Sequence, residues 1–193
     1  MSDLWKRLRF VLGCIIVYRI GTHIPIPGID PVRVSSLFDQ NQGTILELFN
    51  LFSGGALERM SIFALNVVPY ISAAIIMQLF SNAIPYLIEL KKEGQAGRNA
   101  ITQYTRYGTV ALAFVQASAL AVTLSSSGLA YNPGTSFFVT AVFTVVAGTV
   151  FLMWLGEQIT SRGIGNGISL IITAGIVANL PAAFVSTLQL GRT

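Results

Sequence analysis

Residues 49–71, FNLFSGGALERMSIFALNVVPYI, form the stretch that decides the fold. The stretch begins apolar, passes through two glycines at 54–55 and two charges at 58–59, and becomes apolar again from Ile62. One continuous membrane helix does not have this pattern, because glycine weakens a helix and paired charges interrupt an apolar face. The stretch therefore predicts a short separate segment placed directly before a membrane span.

The composition of the whole chain is that of a membrane protein. Of its 193 residues, 53% are hydrophobic and 10% are charged, whereas soluble domains carry about 25% charged residues. The net charge of +4 does not indicate a nucleic-acid-binding protein, because the basic residues adjoin apolar runs. The single cysteine, Cys14, cannot form an internal disulfide and is interpreted as a packing residue.

Five apolar segments approach the length of about 20 residues that a helix needs to cross a bilayer. They are residues 8–26, 61–84, 107–125, 137–155 and 168–190. Arg19 interrupts the first, where its side chain is expected to extend to the membrane interface. The basic N-terminus resembles a signal peptide, but no small-residue cleavage site follows it, so an uncleaved first span is predicted.

The number and charge of these segments predict a topology. Five spans place the chain ends on opposite faces, which suits one half of an inverted-repeat helical bundle. Eight of the twelve Lys and Arg lie in the N-terminal tail and the loops 85–106 and 156–167, against three in the alternate connections or at the C-terminus. The N-terminus of this all-α integral membrane protein is therefore predicted to be cytoplasmic.

Motifs for catalysis and nucleotide binding are absent from the sequence, including HExxH, GxSxG and the Walker lysine motif. The glycine-rich GIGNGIS (163–169) is interpreted as a turn and a helix start, with Asn166 as the N-cap. The only histidine, His23, has no second metal ligand in view and is interpreted as an interfacial residue. No enzyme activity, metal or cofactor is predicted.

The segment 44–58 has two interpretations from its residues alone. As a helix it would be about 22 Å long, which is too short to cross a membrane. Gly54 and Gly55 would cost about 1 kcal/mol each inside that helix, which makes it marginal. The apolar residues of the segment recur at helical spacing: Ile45, Leu48, Phe49 and Phe52. Both an interfacial helix and a half-helix folded into the bundle as a removable stopper fit this pattern.

Longer motifs resemble the SecY family, the channel subunits of the bacterial protein translocase. They are IPIPGID, FSGGALERMSIFALNVVPYISAAIIMQL, LKKEGQAGRNAITQYTRYGT and GEQITSRGIGNGISLIITAGIVANLP. They cover nearly the whole chain and match the first five of the family's ten spans. The resemblance implies a protein-conducting channel in the bacterial inner (plasma) membrane. Such a channel passes unfolded secretory polypeptides across the membrane and releases membrane-protein spans sideways into the lipid bilayer.

The resemblance also implies site residues. Residues 44–58 would be the re-entrant plug helix, and we call them the plug segment. The plug site residues within it would be Ile45, Leu48, Phe49, Phe52, Ser53, Gly54 and Gly55. A pore ring of aliphatic side chains would include Val67, Ile71 and Ile172, which we call the ring residues. Val67 and Ile71 are four residues apart and would share one helix face. The family usually has isoleucine in the ring, so Val67 is a small departure. The second span would be a lateral-gate helix.

The implied partners are the SecE and SecG membrane subunits, the SecA motor ATPase, the ribosome, signal sequences and unfolded preproteins, with no direct nucleic-acid function. Energy would come from the motor, from a translating ribosome or from the proton-motive force. The basic loop, residues 89–108, would be either a solvated topology signal or a supporting contact for the motor or ribosome. Its candidate contact residues are Lys91, Lys92, Arg98 and Arg106.

Two functions other than a channel are considered for this sequence. A small-solute secondary transporter built on inverted repeats is the alternative, and it would need polar ligands inside the membrane. The spans offer four amides but no acid near the middle of the membrane: Asn66, Gln78, Gln116 and Asn179. An intramembrane hydrolase would need a partnered histidine, and His23 is predicted at a membrane edge.

Overall fold

The computed structural model describes residues 1–192, and within them the chain folds into eight helices. In chain order they are α1 (Ser2–Gly21), α2 (Pro31–Gln40), α3 (Ile45–Phe52), α4 (Val68–Ala83), α5 (Pro85–Lys92), α6 (Gln95–Ser126), α7 (Thr135–Arg162) and α8 (Gly167–Leu190). Extended pairing in this part of the chain consists of two isolated bridges, Pro25 with Ser61 and Ile29 with Ala130. The prediction of an all-α protein is confirmed.

Three helices among residues 1–192, namely α6, α7 and α8, are long and apolar enough to cross a membrane. Helices α4 and α5 meet the same criterion only as a pair, and they are bent by 94° at the break between them. Helix α1 carries basic side chains at its start and Arg19 in its last turn, which leaves a short apolar run between them. Length and composition therefore support three or four spans, and a span at 8–26 stays a prediction.

The predicted second span, residues 61–84, begins and ends differently in the structure. Its first part is irregular, and Asn66 adopts a positive φ of 50° just before α4. Pro69 lies in the first turn of α4, where its missing N–H costs no helical hydrogen bond. At the other end Ile84 is extended, because the residue before Pro85 avoids the helical region. The prolines thus divide the predicted span into an irregular entry, α4 and a steeply turned α5.

The third and fourth predicted spans are shorter than the helices that contain them. Residues 107–125 lie inside α6, which begins at Gln95, so most of the basic loop is helical. Residues 137–155 lie inside α7, which continues to Arg162. An apolar run marks the part of a helix suited to hydrocarbon, whereas a helix ends where its hydrogen bonding ends.

Helix α8 begins within one residue of the predicted span 168–190. The side chain of Asn166 accepts hydrogen bonds from the backbone N–H groups of Ile168 at 3.0 Å and Ser169 at 3.2 Å. These are two of the N–H groups that a helix start leaves without a helical acceptor. The prediction that Asn166 is the N-cap is confirmed.

Helix α6 packs between α4 and α7 through small residues. One of its faces is buried at every fourth position: Thr105, Thr109, Ala113, Ala117 and Ala121. Small side chains let helix backbones approach closely, which is how helices commonly associate in membranes. A Cβ added to Gly148 of α7 would collide with the carbonyl oxygen of Ile62. Helix α7 therefore lies directly against the irregular entry to α4.

The basic residues that the sequence assigned to one side of the membrane gather at one end of the bundle. Arg7 donates to the carbonyl oxygen of Gly163 at 3.3 Å, which places the start of α1 beside the end of α7. Arg106 pairs with Glu157 near that same end of α7. Arg33 lies at the opposite end, against the connection between α6 and α7. This distribution agrees with the predicted topology, and the cytoplasmic location of the N-terminus stays a prediction.

Candidate functional site

The helix of the plug segment is shorter than predicted. Helix α3 ends at Phe52 and is about 12 Å long, so the prediction of one helix over 44–58 is wrong in its second half. Gly54 and Gly55 have φ values of 66° and 81°, in the left-handed region that glycine adopts at low cost. They therefore reverse the chain after α3 and do not soften a helix interior.

Exposure divides the plug segment into two parts. No residue of α3 is buried among the described residues, and its six apolar side chains are between 38% (Leu51) and 71% (Ile45) exposed. The predicted plug residues Leu48, Phe49 and Phe52 lie within this range. The turn that follows is buried, including Ser53, Gly54 and Gly55. Helix α3 itself lies against α8. Within this chain the segment is therefore held mainly at its turn.

Side chains from outside the segment bind three successive carbonyl groups of this turn. Asn66 Nδ2 donates to Phe52 O at 3.0 Å. The hydroxyl of Tyr18 donates to Ser53 O at 3.1 Å. Arg19 Nη1 donates to Gly54 O at 3.0 Å. These oxygens belong to the last residue of α3 and to the two residues after it, where carbonyls lack helical partners and cations are favoured.

The turn also makes close backbone contact with α8. We call the surface formed by α8 and the three donor side chains the seat of the turn. A Cβ on Gly54 would lie 2.9 Å from Gly175 Cα, and a Cβ on Gly175 would lie 3.1 Å from both Phe52 O and Tyr18 Oη. Gly54 and Gly175 therefore face each other, with no room for a side chain on Gly54 and a tight fit for one on Gly175. The Tyr18 ring is itself fixed, because it is fully buried and stacks on Phe63 with 6.1 Å between ring centroids.

A second set of contacts closes the turn on itself. The carbonyl oxygen of Asn50 accepts from the N–H of Gly55 at 2.9 Å, and the side chain of Asn50 exchanges two hydrogen bonds with Glu58, at 2.9 Å and 3.0 Å. Arg59 adds a longer contact of 3.4 Å to Gly54 O. The charged pair at 58–59 thus stays at the surface and ties the two halves of the plug segment together.

The ring residues lie next to this turn but differ in exposure. Val67, the N-cap residue of α4, is 1% exposed and shares a buried cluster with Ala56 of the plug segment. Ile71 and Ile172 pack against the same cluster and are partly buried. The N–H of Ile71 donates to Val67 O at 2.9 Å, so Val67 caps the first turn of α4 and Ile71 lies one turn further along.

Ile71 and Ile172 also line an open cavity of about 760 Å³ between α4, α6, α7 and α8. At its edge Arg106 forms a bidentate ion pair with Glu157, with Nε–Oε1 at 2.8 Å and Nη2–Oε2 at 2.9 Å. The cavity is thus apolar where Ile71 and Ile172 line it and polar at the Arg106–Glu157 pair. Val67 is not among its lining residues.

The four basic-loop residues are not equivalent. Arg106 lies well inside α6, and its guanidinium is engaged by Glu157. Lys91 and Arg98 line a smaller cavity of about 300 Å³, and Lys91 makes one long contact of 3.4 Å with Asn82. Lys92, the last residue of α5, is exposed. Lys91, Lys92 and Arg98 are therefore better placed than Arg106 to meet a partner.

The residues considered for other functions do not converge on one site. Asn66 is engaged by the plug turn, Gln78 lines the large cavity and Asn179 lies beside α3. His23 is exposed, with its Nδ1 2.8 Å from Arg19 O. Across residues 1–192 no group of three or more His, Cys, Asp or Glu is placed to hold a metal.

Sequence reasoning missed the residues that seat the turn. Arg19 was expected to reach toward the membrane interface, but it binds Gly54. Tyr18 and Gly175 sit in apolar runs and give no signal of their own, because their role depends on contacts between distant segments. The partner of Arg106, Glu157, could have been suspected as one of the few acids in an apolar chain.

Comparison with known proteins identifies the family. The SecY family model matches residues 61–193. The protein translocase subunit SecY of Pseudomonas aeruginosa is 62% identical over 192 residues, which are 100% of this chain and 43% of that protein. The SecY subunit of Escherichia coli K12 is 57% identical over 196 residues, again 100% of this chain and 44% of that protein.

Two solved structures share the fold. One is described as the structure of a protein conducting channel, and the other as Sec61 in the canine ribosome-channel complex from the endoplasmic reticulum. Each has a TM-score of 0.65 and 20% identity, and the match covers 89% of this chain and 36% of the other. This chain spans less than half the length of these two SecY subunits. With more than half of its residues matched by the family model, the chain belongs to the SecY family.

Proposed function

We propose that this chain forms part of the pore-forming subunit of a protein-conducting channel in a bacterial inner (plasma) membrane. The channel passes unfolded preproteins across the membrane and releases membrane-protein spans sideways into lipid, after a signal sequence binds at the lateral gate near α4. The observation that carries this proposal is the identity of 62% with a SecY subunit along the whole chain. No catalytic step is assigned to the chain.

In this proposal the plug segment closes the pore and the ring residues seal it. The site supports this assignment because α3 is a separate short helix whose turn lies against Val67, Ile71 and α8. An aliphatic constriction excludes ions by dewetting and offers no coordinating group, yet it can widen around a polypeptide. The polar edge of the cavity, at Arg106 and Glu157, would face the cytoplasm, where the basic end of the bundle is predicted to lie.

Ion conductance of the complete channel complex in a planar bilayer tests this assignment. Deletion of residues 45–52 should give a steady ion leak that the parent complex lacks, because α3 no longer fills the pore. In the deletion background, Ile71→Gly with Ile172→Gly should raise the leak further, because two seal side chains are lost. A deletion complex as tight as the parent, with normal assembly, would count against the plug assignment.

The proposed partners are SecE and SecG in the membrane, with the SecA motor or a translating ribosome at the basic end. Lys91 and Lys92 are the residues of the basic loop proposed to support that contact, since neither forms an ion pair among the described residues. Lys91→Glu with Lys92→Glu should weaken motor or ribosome affinity several-fold at low salt, because exposed charges act by screened attraction. The reversal Arg33→Glu, at the other end of the bundle, is the control. Unchanged affinity would remove the loop from the contact surface.

A further inference from the structure

We infer that Tyr18, Arg19 and Asn66 act together as a clamp on the backbone of residues 52–54 and set how readily the plug segment leaves its seat. This inference rests on the proposed function, because it assigns the retention of the plug to particular positioning residues. The clamp belongs to α1 and to the entry of α4, so it joins the plug segment to the helices that surround the proposed pore.

The apolar side chains of α3 are only weakly buried within this chain. The six apolar side chains of α3 are all at least 38% exposed, and no residue of α3 is buried among residues 1–192. Burial of apolar area normally holds an amphipathic helix in place. In the plug segment the buried and hydrogen-bonded part is the turn that begins at the end of α3. The contacts that hold the segment to the rest of this chain are therefore concentrated at that turn.

The three clamp contacts share the same chemistry. Each is a side-chain donor on a main-chain oxygen, at 3.0 Å, 3.1 Å and 3.0 Å. A main-chain acceptor is the same whatever side chains α3 carries, so the clamp does not depend on the sequence of the plug. The acceptors are also carbonyls that water can satisfy, so release of the turn exposes no group that must stay buried.

The clamp depends on the distance between α1 and α8. Tyr18 and Arg19 are on α1, and the surface opposite them is Gly175 of α8. The turn fits between these helices so closely that a Cβ at Gly175 would lie 3.1 Å from its nearest neighbours. Because a hydrogen bond weakens steeply beyond about 3.5 Å, a separation of α1 from α8 by about 1 Å would break the contacts. The clamp therefore converts a small helix movement into release of the segment.

The experiment measures ion conductance of the complete channel complex carrying Tyr18→Phe, Arg19→Gln or both. Tyr18→Phe removes one hydroxyl and keeps the buried ring, and it should raise the leak roughly two- to tenfold through loss of one hydrogen bond. Arg19→Gln removes a charged donor and should raise the leak roughly tenfold or more. Arg19→Lys, which keeps a charged donor of similar reach, should lie between the parent and Arg19→Gln.

Matched controls separate release of the plug from general damage. Tyr131→Phe removes the phenol hydroxyl of a residue that is 65% exposed, and Arg33→Gln removes a guanidinium that donates to the Gly128 carbonyl oxygen at 2.7 Å, away from the plug segment. Neither control should raise the leak. All variants should keep the unfolding temperature of the parent complex within a few degrees, since a merely structural defect would lower it in step with the leak.

Two results would overturn the inference. If the double variant Tyr18→Phe with Arg19→Gln is as tight as the parent while deletion of residues 45–52 leaks, the plug is held by other contacts and the clamp is wrong. If neither the deletion nor the double variant leaks, the plug assignment fails and the clamp fails with it. A leak in the clamp variants, with both controls tight, supports the assignment.

Discussion

Two arginines, Arg19 in the last turn of α1 and Arg106 well inside α6, bind acceptors of different kinds. Arg19 donates to a main-chain oxygen, Gly54 O, at 3.0 Å. Arg106 binds both carboxylate oxygens of Glu157, at 2.8 Å and 2.9 Å. The first contact joins α1 to the turn that follows the short helix α3, and the second joins two long helices that pack along much of their length.

The difference distinguishes a contact that can be released from a permanent one. A main-chain carbonyl can exchange its donor for water at small cost, because the carbonyl carries no net charge. Glu157 cannot lose Arg106 so easily, because a partly buried carboxylate would be left without its cation. We therefore expect changes near Gly54 to alter closure of the pore and changes near Glu157 to alter stability.

The largest effect is expected for Gly175→Val, which fills the surface against which the plug turn lies. A Cβ there would already be 3.1 Å from Phe52 O and from Tyr18 Oη, and valine adds two methyl groups. Overpacking of this kind costs about 1–3 kcal/mol, which shifts the ratio of seated to unseated plug roughly 5- to 150-fold. Ion conductance of the complete channel complex should approach that of the deletion of residues 45–52.

Gly13→Val on α1 is the matched control, because nothing lies within 4 Å of a Cβ at Gly13. Both substitutions replace a helical glycine by the same residue, so effects of helix propensity are shared. Equal conductance of the two variants would show that Gly175 does not seat the turn.

Glu157→Gln should lower stability and leave closure unchanged. The substitution keeps the shape of the side chain and removes the charge that Arg106 binds, at a cost of about 1–2 kcal/mol for a partly exposed pair. Equilibrium unfolding of the purified complex in detergent measures the loss, and the double exchange Arg106→Glu with Glu157→Arg should recover part of it. An ion leak in Glu157→Gln would contradict the separation between the two regions.

Sequence patterns predicted the features of the fold that depend on local chemistry. The apolar runs located α6, α7 and α8, and Asn166 was identified as a cap because a cap acts within three residues of itself. The second span was predicted less well. Helix α4 begins only at Val68, with Pro69 in its first turn, so the first residues of the predicted span are not helical.

Residues of the candidate site were predictable only if they belonged to a family motif or to a local sequence pattern. The plug segment stood out because glycines and charges interrupt an apolar stretch, but the helix bounds were wrong, since Gly54 and Gly55 could serve either a helix or a turn. The roles of Tyr18 and Asn66 could not be predicted from the sequence, because their acceptors lie 35 and 14 residues away along the chain. No local spacing encodes a bond from a side chain to a distant main-chain oxygen.

The smallest effect is expected for Asn166→Ala, at the start of the same helix that carries Gly175. The variant loses both capping bonds of α8, at 3.0 Å and 3.2 Å, and should lower the free energy of unfolding by about 1 kcal/mol. Asn166→Asp keeps the acceptor oxygen and should keep the stability, which equilibrium unfolding in detergent can compare. Conductance should stay at the parent level in both, because the cap fixes where α8 begins and makes no contact with the plug turn. A leak in Asn166→Ala alone would mean that the start of α8 also controls the seat at Gly175, and the two ends of the helix could no longer be treated as independent.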